Sequence, residues 1–164
     1  MIKLLTFGIY TATGISSLKQ KNSLKNAQKK IVISGWKREI EELRKELIAA
    51  NKRGIENTIF SFTSIDEQLG KIVSYELDEE DLRKIWTPKV IMVVDNQHTI
   101  MGSTKKTEDC KAILTKNTAI NEIATNHIIL DITLAGRRLD FDSDPYVKNI
   151  MRDPAENLQH LLKV

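Results

Sequence analysis

The groups in this chain whose type or spacing first suggests a nucleophile, proton carrier or metal ligand are His98, His127, His160, the lone Cys110, and the alternating Asp140, Asp142 and Asp144. A single cysteine excludes a disulfide framework and a zinc knuckle, so a reducing cytoplasm is the expected compartment. The aspartates have calcium-loop spacing, but Pro145 stands where that loop needs glycine and Met151 where it needs the chelating glutamate. No metal site is expected. Phosphate-cradling glycine loops are absent, and no cofactor is expected either. His98 falls beside a turn and reads as a surface residue; His127 sits among apolar neighbours on a helix and reads as packing. The basic run Lys19, Lys21, Lys25, Lys29 and Lys30 contains no acidic residue and could meet phosphates. Without interleaved aromatics, a solvated helix face explains it more simply.

The most informative stretch is Lys89 to Asn117, KVIMVVDNQHTIMGSTKKTEDCKAILTKN. A β-branched run ends in Asp95, turns across Asn96-Gln97 as a hairpin, and re-enters as a run that stops at Gly102-Ser103. A third strand-like run spans Cys110 to Thr115.

The elements that must position these groups follow from periodicity. At 164 residues, 41% apolar and 29% charged, the chain suits one domain with a substantial core, and a net charge of +3 permits phosphate contact without demanding it. The apolar patch in Met1 to Gly8 is too short for a signal peptide or a membrane span. Leu24, Ala27 and Ile31 recur at helical spacing in the basic stretch, and Lys30 to Gly35 reads as a buried strand. Trp36, Ile40, Leu43, Leu47 and Ala50 form one stripe of a helix from about Lys37 to Arg53, with Glu41 paired to Lys45 and Gly54 as its stop. Strands are predicted at Thr58 to Thr63 and Lys71 to Leu77, joined by a polar loop with one helical turn. Asp78 caps a short acidic helix through Trp86. After Asn117 a long helix runs to about Leu134 with Ile120, Ile123, Ala124 and Ile128 inward, and Asp144-Pro145 and Asp153-Pro154 each start a short helix. This order predicts an α/β fold, a central sheet with helices on both faces, plus a short helical C-terminal tail. The expected organisation is a domain over residues 1–136 and a helical extension over 137–164 packed on it.

The Lys89 to Asn117 stretch resembles the second half of the phospholipase D signature, in which a strand carrying His-x-Lys-x4-Asp precedes Gly-Ser-x-Asn. Asp95 and Gly102-Ser103 match; Pro88 stands at the histidine position, Val90 at the lysine and Lys105 at the asparagine. Residues 10 to 134, with the Ser34-Gly35-Trp36 junction and Leu114-Thr115-Lys116-Asn117, are similar to the phospholipase D-like middle domain of TrmB-type transcription regulators. The resemblance implies a mixed phospholipase D-like sheet and a regulatory role. It also implies a homodimer and a small-molecule effector such as a sugar or metabolite.

Such regulators read DNA through an N-terminal winged helix-turn-helix, for which there is no room before Ile15, so DNA contact is expected only through a module absent from this chain. No membrane partner is expected. None of the three histidines has a lysine two residues on and an aspartate at the seventh, so the covalent phospholipase D mechanism has no nucleophile and an enzyme is not expected. An effector pocket at strand ends would draw on Ser34, Trp36, Thr63, Ser103, Lys105, Lys116 and Asn117. Structural duties compete at each: Trp36 as core, Asp95 as a hairpin brace, Asn117 as a helix cap. The alternative is a stand-alone pseudoenzyme or nucleic-acid-binding protein using the Lys19 to Lys30 face.

Overall fold

The computed structural model describes residues 8–11, 15–65, 67–103 and 111–151. Seven strands form one mixed sheet: β1 (Gly8–Thr11), β2 (Lys30–Gly35), β3 (Glu56–Thr63), β4 (Lys71–Leu77), β5 (Lys89–Val94), β6 (His98–Ser103) and β7 (Lys111–Thr115), in the order β1-β7-β6-β5-β2-β3-β4. Strand β2 is the pivot, parallel to β3 on one side and antiparallel to β5 on the other. Its parallel neighbour is reached by a helical crossover, as a parallel pair requires. From β5 to β7 the pairing is antiparallel, and β1 adds an edge strand that periodicity had not disclosed.

Alternation along β2 divides the interior in two. Ile31 and Ile33 point to a core shared with Val90, Met92 and Val94 and covered by α1 (Ile15–Lys25), α2 (Lys37–Glu41) and α3 (Arg44–Lys52). Val32, with Phe60 and Val73, points to the opposite core, under α5 (Thr118–Leu139) and α6 (Asp144–Val147). The remaining helix, α4 (Glu79–Ile85), is capped by Asp78, whose side chain accepts from the N–H groups of Glu80 and Asp81 as expected.

Three local expectations need correction. The single helix from Lys37 to Arg53 is two helices: Leu43 leaves helical geometry at φ −101° and ψ 1°, and its N–H bonds to Ile40 O in a tight i−3 turn. All five stripe residues stay buried, because the turn shifts phase without leaving the sheet. The shift also re-pairs Glu41 with Arg44 rather than Lys45. On the long helix, Ile123 is not inward but 63% exposed, since the buried row is Asn121, Ala124, Ile128, Ile132 and Ala135 and a neighbour in sequence points about 100° away. That helix also runs on to Leu139, past Gly136. A Cβ on Gly136 would stand 2.9 Å from Phe141 O and from Ser143 Cβ, so this glycine admits the returning chain instead of ending the helix. In the basic stretch, Ala27 and Ile31 lie beyond the last turn of α1, Ile31 being in β2.

Beyond Leu139, Asp140 closes the helix in the left-handed region at φ 56°, Pro145 occupies the first turn of α6, and Val147 and Ile150 bury into the second core. The second proline start, Asp153-Pro154, lies outside the described residues, as do Lys105, Cys110 and His160.

Candidate functional site

The direction of each strand decides which of the anticipated residues can meet. Strands β2 and β3 finish, and β5 starts, at one end of the sheet, which gathers Ser34, Trp36, Thr63, Pro88 and Lys89. Ser103 ends β6 at the same end; its side chain is outside the described set. Strand β7 runs the other way, so Lys116 and Asn117 emerge at the opposite end. Ser34 is level with Ile113 through Ile91 and Met101. Asn117 therefore lies four residues along and three strands across from it, roughly 20 Å away. Lys116 and Asn117 cannot line one pocket with Ser34, Trp36 and Thr63, which corrects the anticipated grouping.

At the first end the predicted residues are already committed. Thr63 Oγ1 accepts from Lys37 N at 2.8 Å, and Thr63 O accepts from Ser61 Oγ at 2.6 Å and Ser74 Oγ at 3.0 Å, which ties the irregular end of β3 to the start of α2. Trp36 is 1% exposed, with the Arg83 guanidinium 5.6 Å from its ring centroid, so it is core and not a pocket wall. Ser34 Oγ donates to Asp131 Oδ2 at 3.2 Å, and His127 Nε2 stands 3.5 Å from the same oxygen. Burial raises the Asp131 pKa, against the opposing pull of His127, the Ser34 hydrogen bond and Lys89. Neither His127 nor Asp131 was anticipated as a polar pair; their i,i+4 spacing on a helix was the available signal. Pro88 is buried, and Val90 is 2% exposed within the first core.

The opposite end is held by backbone. Asp95 accepts from the N–H groups of Gln28 at 2.9 Å, Lys29 at 2.8 Å and Lys30 at 3.0 Å, so it braces the entry to β2 rather than its own hairpin. Asp95 and Asn96 both sit at φ 54° in that hairpin, a conformation such residues tolerate. Asn117 caps α5, its side chain accepting from Ile120 N at 3.0 Å. Burial, then the charge of Lys116, lowers the His98 pKa, while Asp95 opposes. Of the basic run, Lys25 and Lys29 are exposed and Lys21 is half-buried; the Lys19 side chain is outside the described set. Lys30 turns inward, donating from Nζ to Asn149 O at 2.8 Å and Ile150 O at 3.1 Å, and burial lowers its pKa.

None of the anticipated pocket residues with described side chains lines the open groove of about 770 Å³ along the outer edge of β4. Its walls include Lys71, Ser74 and Glu76 from the strand and Phe141, Asp142 and Tyr146 from the segment after α5. That segment returns after Asp140, passing close against Gly136. Among the described residues no cluster of three potential metal ligands occurs, and no helix is long and apolar enough to cross a membrane.

Among solved structures, the fold is similar to TrmBL2, an archaeal chromatin protein described with a novel mode of DNA binding (TM-score 0.56, 13% identity, 78% of this chain and 52% of that one). It is also similar to NucT from Helicobacter pylori (TM-score 0.54, 12% identity, 76% and 93%). A third similar structure is Nuc, a phospholipase D family member from Salmonella typhimurium (TM-score 0.52, 15% identity, 74% and 91%). These likenesses establish a phospholipase D-like fold, and the chain spans about half the length of TrmBL2. No curated protein matches the sequence significantly. The family profile of the transcriptional regulator TrmB, EBD N-terminal subdomain, matches residues 9–126, well over half of the chain. With sheet and profile in agreement, the chain belongs to the TrmB transcriptional-regulator family through its EBD N-terminal subdomain.

Proposed function

We propose that this chain is a non-catalytic regulatory domain that binds a small polyhydroxylated metabolite and passes the binding free energy to a DNA-reading module through a dimer. The observation that carries the non-catalytic part is Val90, buried among Ile33, Ile40 and Met92 where the phospholipase D signature has its lysine. An ammonium there would be stripped of water with no partner, so the phosphate-binding charge has been exchanged for packing. The groove beside β4 offers the better effector site. Its volume falls in the ordinary small-ligand range, aromatic Phe141 and Tyr146 give faces for sugar rings, and Glu76 and Asp142 give acceptors for hydroxyls. Effector binding moves a regulator only as far as its affinities for two states differ.

Thermal unfolding against sugars, sugar phosphates and nucleotides tests this reading. A native-state ligand at about 100 times its dissociation constant adds roughly 2.7 kcal/mol. A shift with one compound class, lost in Glu76→Gln while the ligand-free melting temperature holds, is the expected result. Turnover of a simple phosphodiester by the purified chain would sink the non-catalytic reading.

A second reading has the α1 face touching DNA, for which the description of TrmBL2 as a DNA-binding chromatin protein gives a reason. With Lys30 bonded inward and the Lys19 side chain outside the described set, Lys21, Lys25 and Lys29 are the described lysines of the run, and three phosphate contacts predict a log–log salt slope of about −2.7. Binding indifferent to salt would remove it.

A further inference from the structure

His127 and Asp131 lie about one turn apart on α5, and their side chains converge: Nε2 of the first stands 3.5 Å from Oδ2 of the second. That separation is too long for an ordinary hydrogen bond between nitrogen and oxygen, whose range ends near about 3.2 Å. It suits two donors that share one ion. Zinc bonds imidazole nitrogen and carboxylate oxygen at about 2.0–2.1 Å, and two such bonds at the tetrahedral angle set their donors about 3.3 Å apart.

The carboxylate is also held as a metal ligand is held. Ser34 Oγ, at the end of β2, donates to the same Oδ2 at 3.2 Å, the kind of outer hydrogen bond that fixes the direction of a ligating carboxylate. Among the described residues Asp131 accepts from no backbone N–H, and its side chain is only 18% exposed, so the carboxyl has given up water without a full set of donors in return. The His127 side chain, 47% exposed, leaves the approach open.

We propose that His127 and Asp131 are the two protein ligands of a half-open site for a divalent transition-metal ion, zinc foremost, with Ser34 orienting the carboxylate. An imidazole beside a carboxylate favours zinc or copper over magnesium and calcium, which take oxygen ligands alone. Two ligands leave two tetrahedral positions on the open side for water or for oxygen atoms of a further ligand. Both ligands stand on one regular helix, so the pair is arranged before any ion arrives. Lys89, exposed at the start of β5, acts on Asp131 through its charge and opposes a cation there, which sets a modest affinity. Neither ligand lines the groove beside β4, and the proposal stands apart from the effector reading.

Calorimetric titration of the full 164-residue chain with zinc chloride at neutral pH tests it. The wild type is expected to bind one ion. His127→Ala, at a half-exposed position, is expected to abolish that binding with its circular dichroism unchanged. Ser34→Ala is expected to weaken it about 10-fold or more, the usual effect of removing an outer partner, and Lys89→Ala to strengthen it. His98→Ala, at the opposite end of the sheet, is expected to bind zinc as the wild type does. A wild type that takes up no zinc overturns the proposal. A His127→Ala protein with wild-type affinity overturns it too, since the ion then sits elsewhere. Should His127→Ala fail to fold, Asp131→Asn decides, and undiminished zinc affinity in that variant is the contrary result.

Discussion

At the end of the sheet where β2 begins, Asp95 accepts three backbone N–H groups from Gln28, Lys29 and Lys30; at the end where β2 stops, Asp131 is met only by side chains, Ser34 and His127. Both are aspartates brought to β2 from far along the chain. The first satisfies donors that a strand entry would otherwise leave without a partner, and its role is to hold the fold. The second keeps a carboxyl largely out of water beside side chains alone, and burial raises its pKa. A carboxylate's role here follows from what donates to it.

The contrast can be broken most forcefully at Trp36. If the end holding Ser34 were an open pocket, Trp36→Ala would change ligand response and little else; buried as it is, the variant is expected to lose about 4 kcal/mol in a denaturant titration. Near-wild-type stability would return Trp36 to the list of pocket residues. Next comes Asp95→Ala, which strands three N–H groups and is expected to cost about 3 kcal/mol. A loss below about 1 kcal/mol would mean that water replaces the carboxylate and that the brace is dispensable.

Asn117→Ala should cost about 1 kcal/mol through the lost α5 cap, with effector affinity unchanged; a selective loss of affinity would restore Asn117 as a ligand residue.

The smallest effect expected is that of Asp131→Asn, and it depends on pH. With the folded pKa raised above the ordinary 3.8, the stability tied to the bound proton is fully present below that value and is lost as pH rises through the raised one. Melting curves should therefore show the asparagine variant gaining on the wild type as pH increases through the mildly acidic range. A variant that instead falls further behind the wild type over the same range would reverse the assigned direction.

Much of this architecture was legible because its causes are local. Asp78 and Asn117 announce helix starts by side-chain chemistry acting within three residues, and the stripe from Trp36 to Ala50 announces a buried face by its period alone. The break after Glu41 went unread, since a tight turn that preserves the stripe leaves no mark on its spacing. The candidate pocket was harder still. Ser34, Trp36, Thr63, Lys116 and Asn117 were each placed correctly at a strand end or helix start, yet they divide between the two ends of the sheet because β7 opposes β2. The groove beside β4 was unreadable for a related reason: its two walls come from residues some seventy positions apart that meet only because the chain returns after Asp140, close against Gly136.

By itself, then, the sequence determined the kinds of elements, most of their limits and the caps, all of which rest on residue type and short-range spacing. Only the tertiary structure decided strand direction and neighbour order, and with them which polar groups share an end, which carboxylate is spent on backbone, and which face of α5 is left apolar and uncovered. The physical reason is that hydrogen bonds between strands and burial between faces are made by residues distant along the chain, so no window of sequence contains both partners.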